Sequence, residues 1–141
     1  MKKGLFAFVA IVLLLSACAN PPYKFTKDQP YALIKPVEGQ TWSMCSAGKF
    51  YSLNPSQKSK MLKVPAGKKI VLMNYAYFSG YQVSYSCYPA IGFTPQENKT
   101  YVGDLMIGMT GCNIGLAEED KSTETGLSPV RTLGTASCPA N

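Results

Sequence analysis

Hydrophobic positions in this chain follow two patterns, a continuous run at the start and a period of two further on. From Leu5 to Leu15 every residue is apolar, behind a basic Met1-Lys2-Lys3 start. Crossing a bilayer as a helix takes about 20 apolar residues, so this run is too short for a permanent span and has the layout of a secretory signal. Past Gln29 the texture becomes that of a β protein. Tyr31 to Ile34 is a short apolar run ended by Pro36, Lys49 to Leu53 stops at Asn54-Pro55, and Met61 to Val64 leads into the Pro65-Ala66-Gly67 turn. Lys69 to Phe78 is apolar nearly throughout and predicts a central strand. Beyond Gly80, Tyr81, Val83, Tyr85 and Cys87 alternate with Gln82, Ser84 and Ser86. That alternation predicts the second strand of a hairpin, with Tyr81, Tyr85 and Cys87 turned toward a core.

The later pattern is less regular. Ile91 and Phe93 alternate, Thr100 to Val102 opens another strand, and Cys112 to Leu116 forms a further one. Leu105-Met106-Ile107 is apolar but lies among Gly103, Gly108 and Gly111, which predicts a bulge or bend. Residues 117–129 are polar and read as a loop or frayed helical turn, with Val130 to Leu133 as a final edge strand. Roughly six to eight short strands without an amphipathic helix predict an all-β fold, a small antiparallel β-sandwich or barrel. The domain spans 30–141, preceded by a signal over 1–17 and a proline-containing tether over 18–29.

The signal ends in Leu15-Ser16-Ala17-Cys18, which resembles the lipobox of bacterial lipoproteins. The resemblance implies cleavage before Cys18 and acylation of Cys18, and Ala19, not being aspartate, implies the outer membrane. Acyl chains each contribute about 0.8 kcal/mol per buried CH₂, so the implied lipid is a permanent anchor. A wider pattern is similar to small proteobacterial envelope lipoproteins with transthyretin-like or immunoglobulin-like sandwiches. It comprises Val64-Pro-Ala-Gly-Lys-Lys-Ile-Val-Leu72, Cys87 before Phe93-Thr-Pro95, Asn98-Lys-Thr-Tyr101, and Cys112. That resemblance implies a fold and no particular function.

With Cys18 assigned to lipid, Cys45, Cys87, Cys112 and Cys138 remain, an even number in an exported chain and so a disulfide framework. Three connectivities are possible. Cys87 with Cys112 in neighbouring core strands, and Cys45 with Cys138 clasping the ends, is the favoured one, although spacing leaves the choice open. There is no CxxC spacing and no histidine, so neither a zinc site nor a histidine-based triad is expected, nor any cofactor beyond the lipid.

The chain carries 14 Lys and Arg against 8 Asp and Glu. Without a dense arginine–aromatic patch, nucleic acid is not an expected partner. Lys58, Lys60, Lys63, Lys68 and Lys69 form the densest positive cluster, suited to anionic headgroups or an acidic partner, but equally to a strand edge kept from pairing by lysine. Tyrosine joins apolar area to a hydroxyl and is favoured at recognition surfaces. Tyr75 and Tyr77, whose alternation allows either sheet face, are the first place to look for one. Ser46-Ala-Gly-Lys49 has the S-x-x-K spacing of penicillin-binding proteins, but Gly48 suits a turn better than the helix that chemistry needs.

Together these features predict a non-enzymatic lipoprotein, anchored in the outer membrane and facing the periplasm or the surface. It is expected to bind another envelope protein, as part of a secretion or surface assembly. An immunity or inhibitor lipoprotein that neutralises a toxin or lytic enzyme is the alternative, and a hydrolase using Ser46 and Lys49 is a third reading.

Overall fold

The period-two stretches form strands, apart from Tyr81 to Val83, which stay in a turn, and the chain contains more strands than its pattern announces. The structure, a computed structural model, describes residues 19–37, 40–56, 58–108 and 111–138; the leader and Cys18 lie outside the described residues. In chain order the strands are β1 (Tyr31–Pro36), β2 (Thr41–Ser46), β3 (Lys49–Leu53), β4 (Leu62–Pro65), β5 (Ile70–Ser79) and β6 (Ser84–Cys87). They continue with β7 (Ala90–Phe93), β8 (Thr100–Gly108), β9 (Gly111–Glu119), β10 (Leu127–Pro129) and β11 (Leu133–Gly134). Among the described residues there is no helix.

One sheet has the order β10-β9-β8-β1-β4 and the other β11-β7-β5-β2-β3, with β6 also paired to β5. The two pack face to face as a sandwich. Their inner faces bury Ile34, Trp42, Met44, Leu62, Val64, Ile70, Leu72, Phe93 and Tyr101, with Phe93 and Tyr101 meeting edge to face at 5.3 Å between ring centroids. The sandwich is not wholly antiparallel, because β1 and β8 run parallel, from Leu33 beside Thr100 to Pro36 beside Gly103. A parallel pair needs a long crossover, and the excursion through β2 to β7 supplies it.

The second sheet is centred on β5, the strand its apolar run predicts, and beside β5 lies β2, which the hydrophobic pattern does not announce. Trp42 and Met44 alternate with Thr41 and Ser43, but Cys45 and Ser46 are both buried, so the alternation is lost toward the end of the strand. Ala47 (φ 50°) and Gly48 (φ 70°) close β2 onto β3. Two successive residues with positive φ make the tight hairpin turn whose twist matches the flanking strands. We call that end the base; it also holds the 66–69 turn between β4 and β5, because Cys45 pairs with Val71.

Several local expectations change. Leu105 to Ile107 lies within an unbroken β8, paired residue by residue with β9, so the neighbouring glycines interrupt nothing. Residues 117–119 finish β9 instead of opening a loop, and the final strand is Leu133–Gly134, while Val130 enters the core. The segment expected as a tether is docked from Pro21 onward. Pro22 bridges Ser52 in parallel, the Pro21 carbonyl accepts from the Ser52 N–H at 3.0 Å, and the Tyr23 ring packs on Tyr51. The Gln29 side-chain amide donates to the Tyr23 hydroxyl at 2.7 Å.

The favoured disulfide pairing is the observed one, Cys45–Cys138 and Cys87–Cys112, with Cα atoms 5.7 Å and 6.3 Å apart. Cys45 is fully buried, and its bond pins the tail against the sheet of β2 and β5. The second bond joins strands of opposite sheets, β6 and β9, not neighbours in one core layer.

Candidate binding surface

Opposite the base, β5 outruns its neighbour. β2 pairs with it only as far as Tyr75, and Ala76 to Ser79 continue with β6 alone. The return strand then breaks at Tyr88-Pro89, where the Pro89 carbonyl still accepts from the Asn74 N–H at 3.1 Å, and resumes as β7 beside the first half of β5. In the other sheet β8 likewise passes the end of β1 at Gly103 and continues to Gly108 with β9 as its partner. The result is a pair of hairpin arms, one from each sheet, joined by Cys87–Cys112.

Alternation along β5 sorts the first arm's side chains. Ile70, Leu72, Asn74, Ala76 and Phe78 share the inward face, while Tyr75 and Tyr77 are exposed on the outward one. The Tyr75 and Tyr88 rings lie 4.8 Å apart at a tilt of 34°, and Phe78 stacks on Tyr85 at 5.1 Å. Partial desolvation and the neighbouring phenol of Tyr88 hold the Tyr75 hydroxyl above its ordinary pKa. The prediction that Tyr81 and Tyr85 are core residues fails. Tyr85 does share the inward face of Cys87 by register, yet it is 54% exposed; Tyr81, in the turn, is 101% exposed. Alternation gives the direction of a side chain, and here the opposing sheet has diverged, so that direction leads into open space.

That space is a cleft of about 340 Å³ lined by Tyr85, Ser86, Cys87, Ile107, Gly108 and Cys112, among others. Ile107 on the second arm is half exposed, as is Met106. No residue from Ile70 to Gln96 is charged, and none from Leu105 to Ala117. The first arm is therefore neutral, and the second carries a single charge, Asp104 at its root.

The lysines do not form one patch. Lys58 and Lys60 lie in the loop entering β4, and Lys68 and Lys69 in the turn leaving it, so the four-residue strand separates them by about 13 Å. Lys63, exposed on that strand, places its ammonium 4.5 Å from the Phe25 ring centroid and 4.0 Å from that of Tyr31. Two rings around one cation hold the docked N-terminal segment on β4. Lys69 bonds the Thr135 hydroxyl at 3.0 Å.

Ser46 and Lys49 are the closing pair of the β2–β3 turn, not one helical turn apart. Ser46 is buried while Lys49 is exposed, and the two face each other across a hairpin end instead of along the helix that S-x-x-K chemistry uses. A second cavity, about 290 Å³, is lined by Lys99, Tyr101, Glu118, Asp120, Arg131 and Thr132, among others. Its charges are partly matched internally, Lys99 bonding Glu118 at 2.7 Å, which holds the ammonium above its usual pKa. Among the described residues no group of three or more His, Cys, Asp or Glu is placed to hold a metal ion. Comparison with known protein families, with curated protein sequences and with solved structures finds no match to this chain.

Proposed function

We propose that this chain is a lipid-anchored protein of a bacterial envelope that binds another envelope protein through its two arms. The observation that carries the reading is the concentration of exposed tyrosine on a segment devoid of charge: Tyr75, Tyr77, Tyr81, Tyr85 and Tyr88, with Ser, Gly and Gln among the residues between them. Rigid aromatic contact area interleaved with small polar residues is the chemistry of protein recognition surfaces. Charged residues are depleted at interface cores. Scattered exposed apolar side chains need no explanation, but a contiguous group does.

Anchoring geometry supports the same reading. The parallel sense of the Pro22–Ser52 bridge sends the chain before Pro21 back along β3 toward the base. Only Ala19 and Asn20 separate Pro21 from Cys18, a reach of about 10 Å. A lipid on Cys18 would therefore keep the base, with Lys49, Lys68 and Lys69, near the headgroups and hold the arms away from them.

The test is affinity capture from detergent-solubilised envelopes with a tag after Asn141, with Cys18→Ser and Tyr77→Lys variants beside the native chain. The expected result is one stoichiometric partner, retained by Cys18→Ser in detergent and lost with Tyr77→Lys. The partner's own activity would separate an assembly role from neutralisation of a toxin or lytic enzyme. Equal capture by the Tyr77→Lys chain would remove the arms from the proposal.

A further inference from the structure

We infer that β6 and the cleft beside it take an extended strand of the partner polypeptide, which adds to the sheet edge and seats its alternate side chains between the arms. This rests on the binding reading above and names the chemistry of what is bound. In an antiparallel pair, alternate residues turn both N–H and C=O away from their partner strand, so an edge presents backbone groups that another backbone satisfies in register. Among the described residues β6 pairs with β5 alone.

The outermost strands of the two sheets are blocked, and besides β6 the edges left unpaired on one side among the described residues include Gly111 to Leu116 of β9 and Asp104 to Gly108 of β8, on the other arm. β4 carries Lys63 and ends in Pro65, β10 ends in Pro129, and β11 is only two residues long. Along β3, the N-terminal segment lies across the edge at Ser52. β6 reads Ser-Tyr-Ser-Cys, four residues with no charge and no proline to keep the edge from pairing. Beside it lies the cleft, with Tyr85 on one wall, Ile107 on the other and the Cys87–Cys112 bond between the strands. An open edge with an apolar cavity alongside is the arrangement by which strand addition obtains affinity from the main chain and specificity from alternate side chains. The cleft lining carries no charge, and the one charge on the arms is Asp104 at the root of the second; an uncharged lining selects an uncharged strand. Two copies of β6 paired edge to edge would form a ladder of only about 14 Å, too little surface for a stable dimer on that contact. A bilayer is not the occupant, because the anchored end of the chain is the opposite one.

The experiment pans a phage-displayed library of linear peptides on the oxidised full chain in detergent, and measures binding and amide exchange with a synthetic copy of an enriched peptide. Enriched sequences should alternate apolar and uncharged polar residues and slow exchange of the Ser84 to Cys87 amides. Ser86→Lys, which installs an edge lysine, and Ile107→Asp, which charges the cleft wall, should each weaken binding at least about tenfold. Both positions are exposed, so neither change threatens the core. No enriched sequence, binding indifferent to both variants, or protection of β6 by self-association without peptide would overturn the inference. In envelope capture, loss with Tyr77→Lys but not with Ser86→Lys or Ile107→Asp would refute strand addition and leave the binding reading standing. Undiminished capture by all three variants would refute both.

Discussion

The two disulfides should differ in what they protect, and the Cys45–Cys138 bond permits a quantitative test. It closes a loop with a sequence separation of 93, against 25 for Cys87–Cys112. On chain entropy alone, closure of the longer loop in the unfolded state corresponds to about 4.7 kcal/mol and of the shorter one to about 3.5 kcal/mol. A domain of this size has only about 5–15 kcal/mol in total, so loss of the longer closure should bring it near its unfolding threshold. The effect should exceed what the native contacts suggest, because beyond the two-residue β11 the bond holds little more than a tail. Urea denaturation of Cys45→Ala/Cys138→Ala should show the midpoint falling by roughly 3–5 kcal/mol equivalent, with the slope raised as the unfolded chain expands. Cys87→Ala/Cys112→Ala should cost less, and its amide-exchange increase should be confined to the arms. A loss below about 1 kcal/mol for the long-loop variant, or the reverse ranking, would refute the unfolded-state argument and place the stabilisation in native contacts.

Three further outcomes follow from single positions. Ala47 holds a left-handed conformation that costs an alanine about 1–2 kcal/mol, so Ala47→Asn should stabilise the chain by about 0.5–1 kcal/mol in thermal or urea unfolding. Trp42 and Asn74 are cross-strand neighbours buried in the core, and Trp42 Nε1 and Asn74 Oδ1 have no hydrogen-bond partner. Asn74→Leu removes that oxygen at the loss of one 3.3 Å bond to Gln40, and should be neutral or stabilising by about 1 kcal/mol; marked destabilisation in urea would contradict this. Asp120 accepts from the Ser122 hydroxyl and N–H, which hold its carboxyl below the usual range. A depressed folded pKa stabilises above the unfolded value and loses that contribution as pH falls through the folded one. An NMR titration should place Asp120 low, and Ser122→Ala should raise it.

How much of this was legible beforehand depends on whether a property is local. Strand period, turn chemistry and cysteine parity are properties of short stretches, so the all-β class, the β5–β6 hairpin, the turn at Gly67 and the disulfide framework could be read from residue order. β2 escaped because Cys45 and Ser46 are both buried, which blurs the alternation that Trp42 and Met44 announce. The S-x-x-K spacing was open to a helix or a turn, and the positive φ of Ala47 and Gly48 decides for the turn.

The binding surface was half legible. Tyrosine enrichment and the absence of charge stand in the sequence, and Tyr75 and Tyr77 were singled out from it. Exposure was not legible, because burial depends on where the facing sheet ends: Tyr85 obeys its alternation yet faces open space. The lysine cluster shows the same limit in reverse, since residues close in sequence are set at opposite ends of a strand by its 3.3 Å rise. Composition and period therefore determined what kinds of elements this chain forms and which segments are neutral. Only tertiary structure decided which neutral segments outrun their partners, because partner and length of overlap are non-local and are set by which surfaces can bury one another.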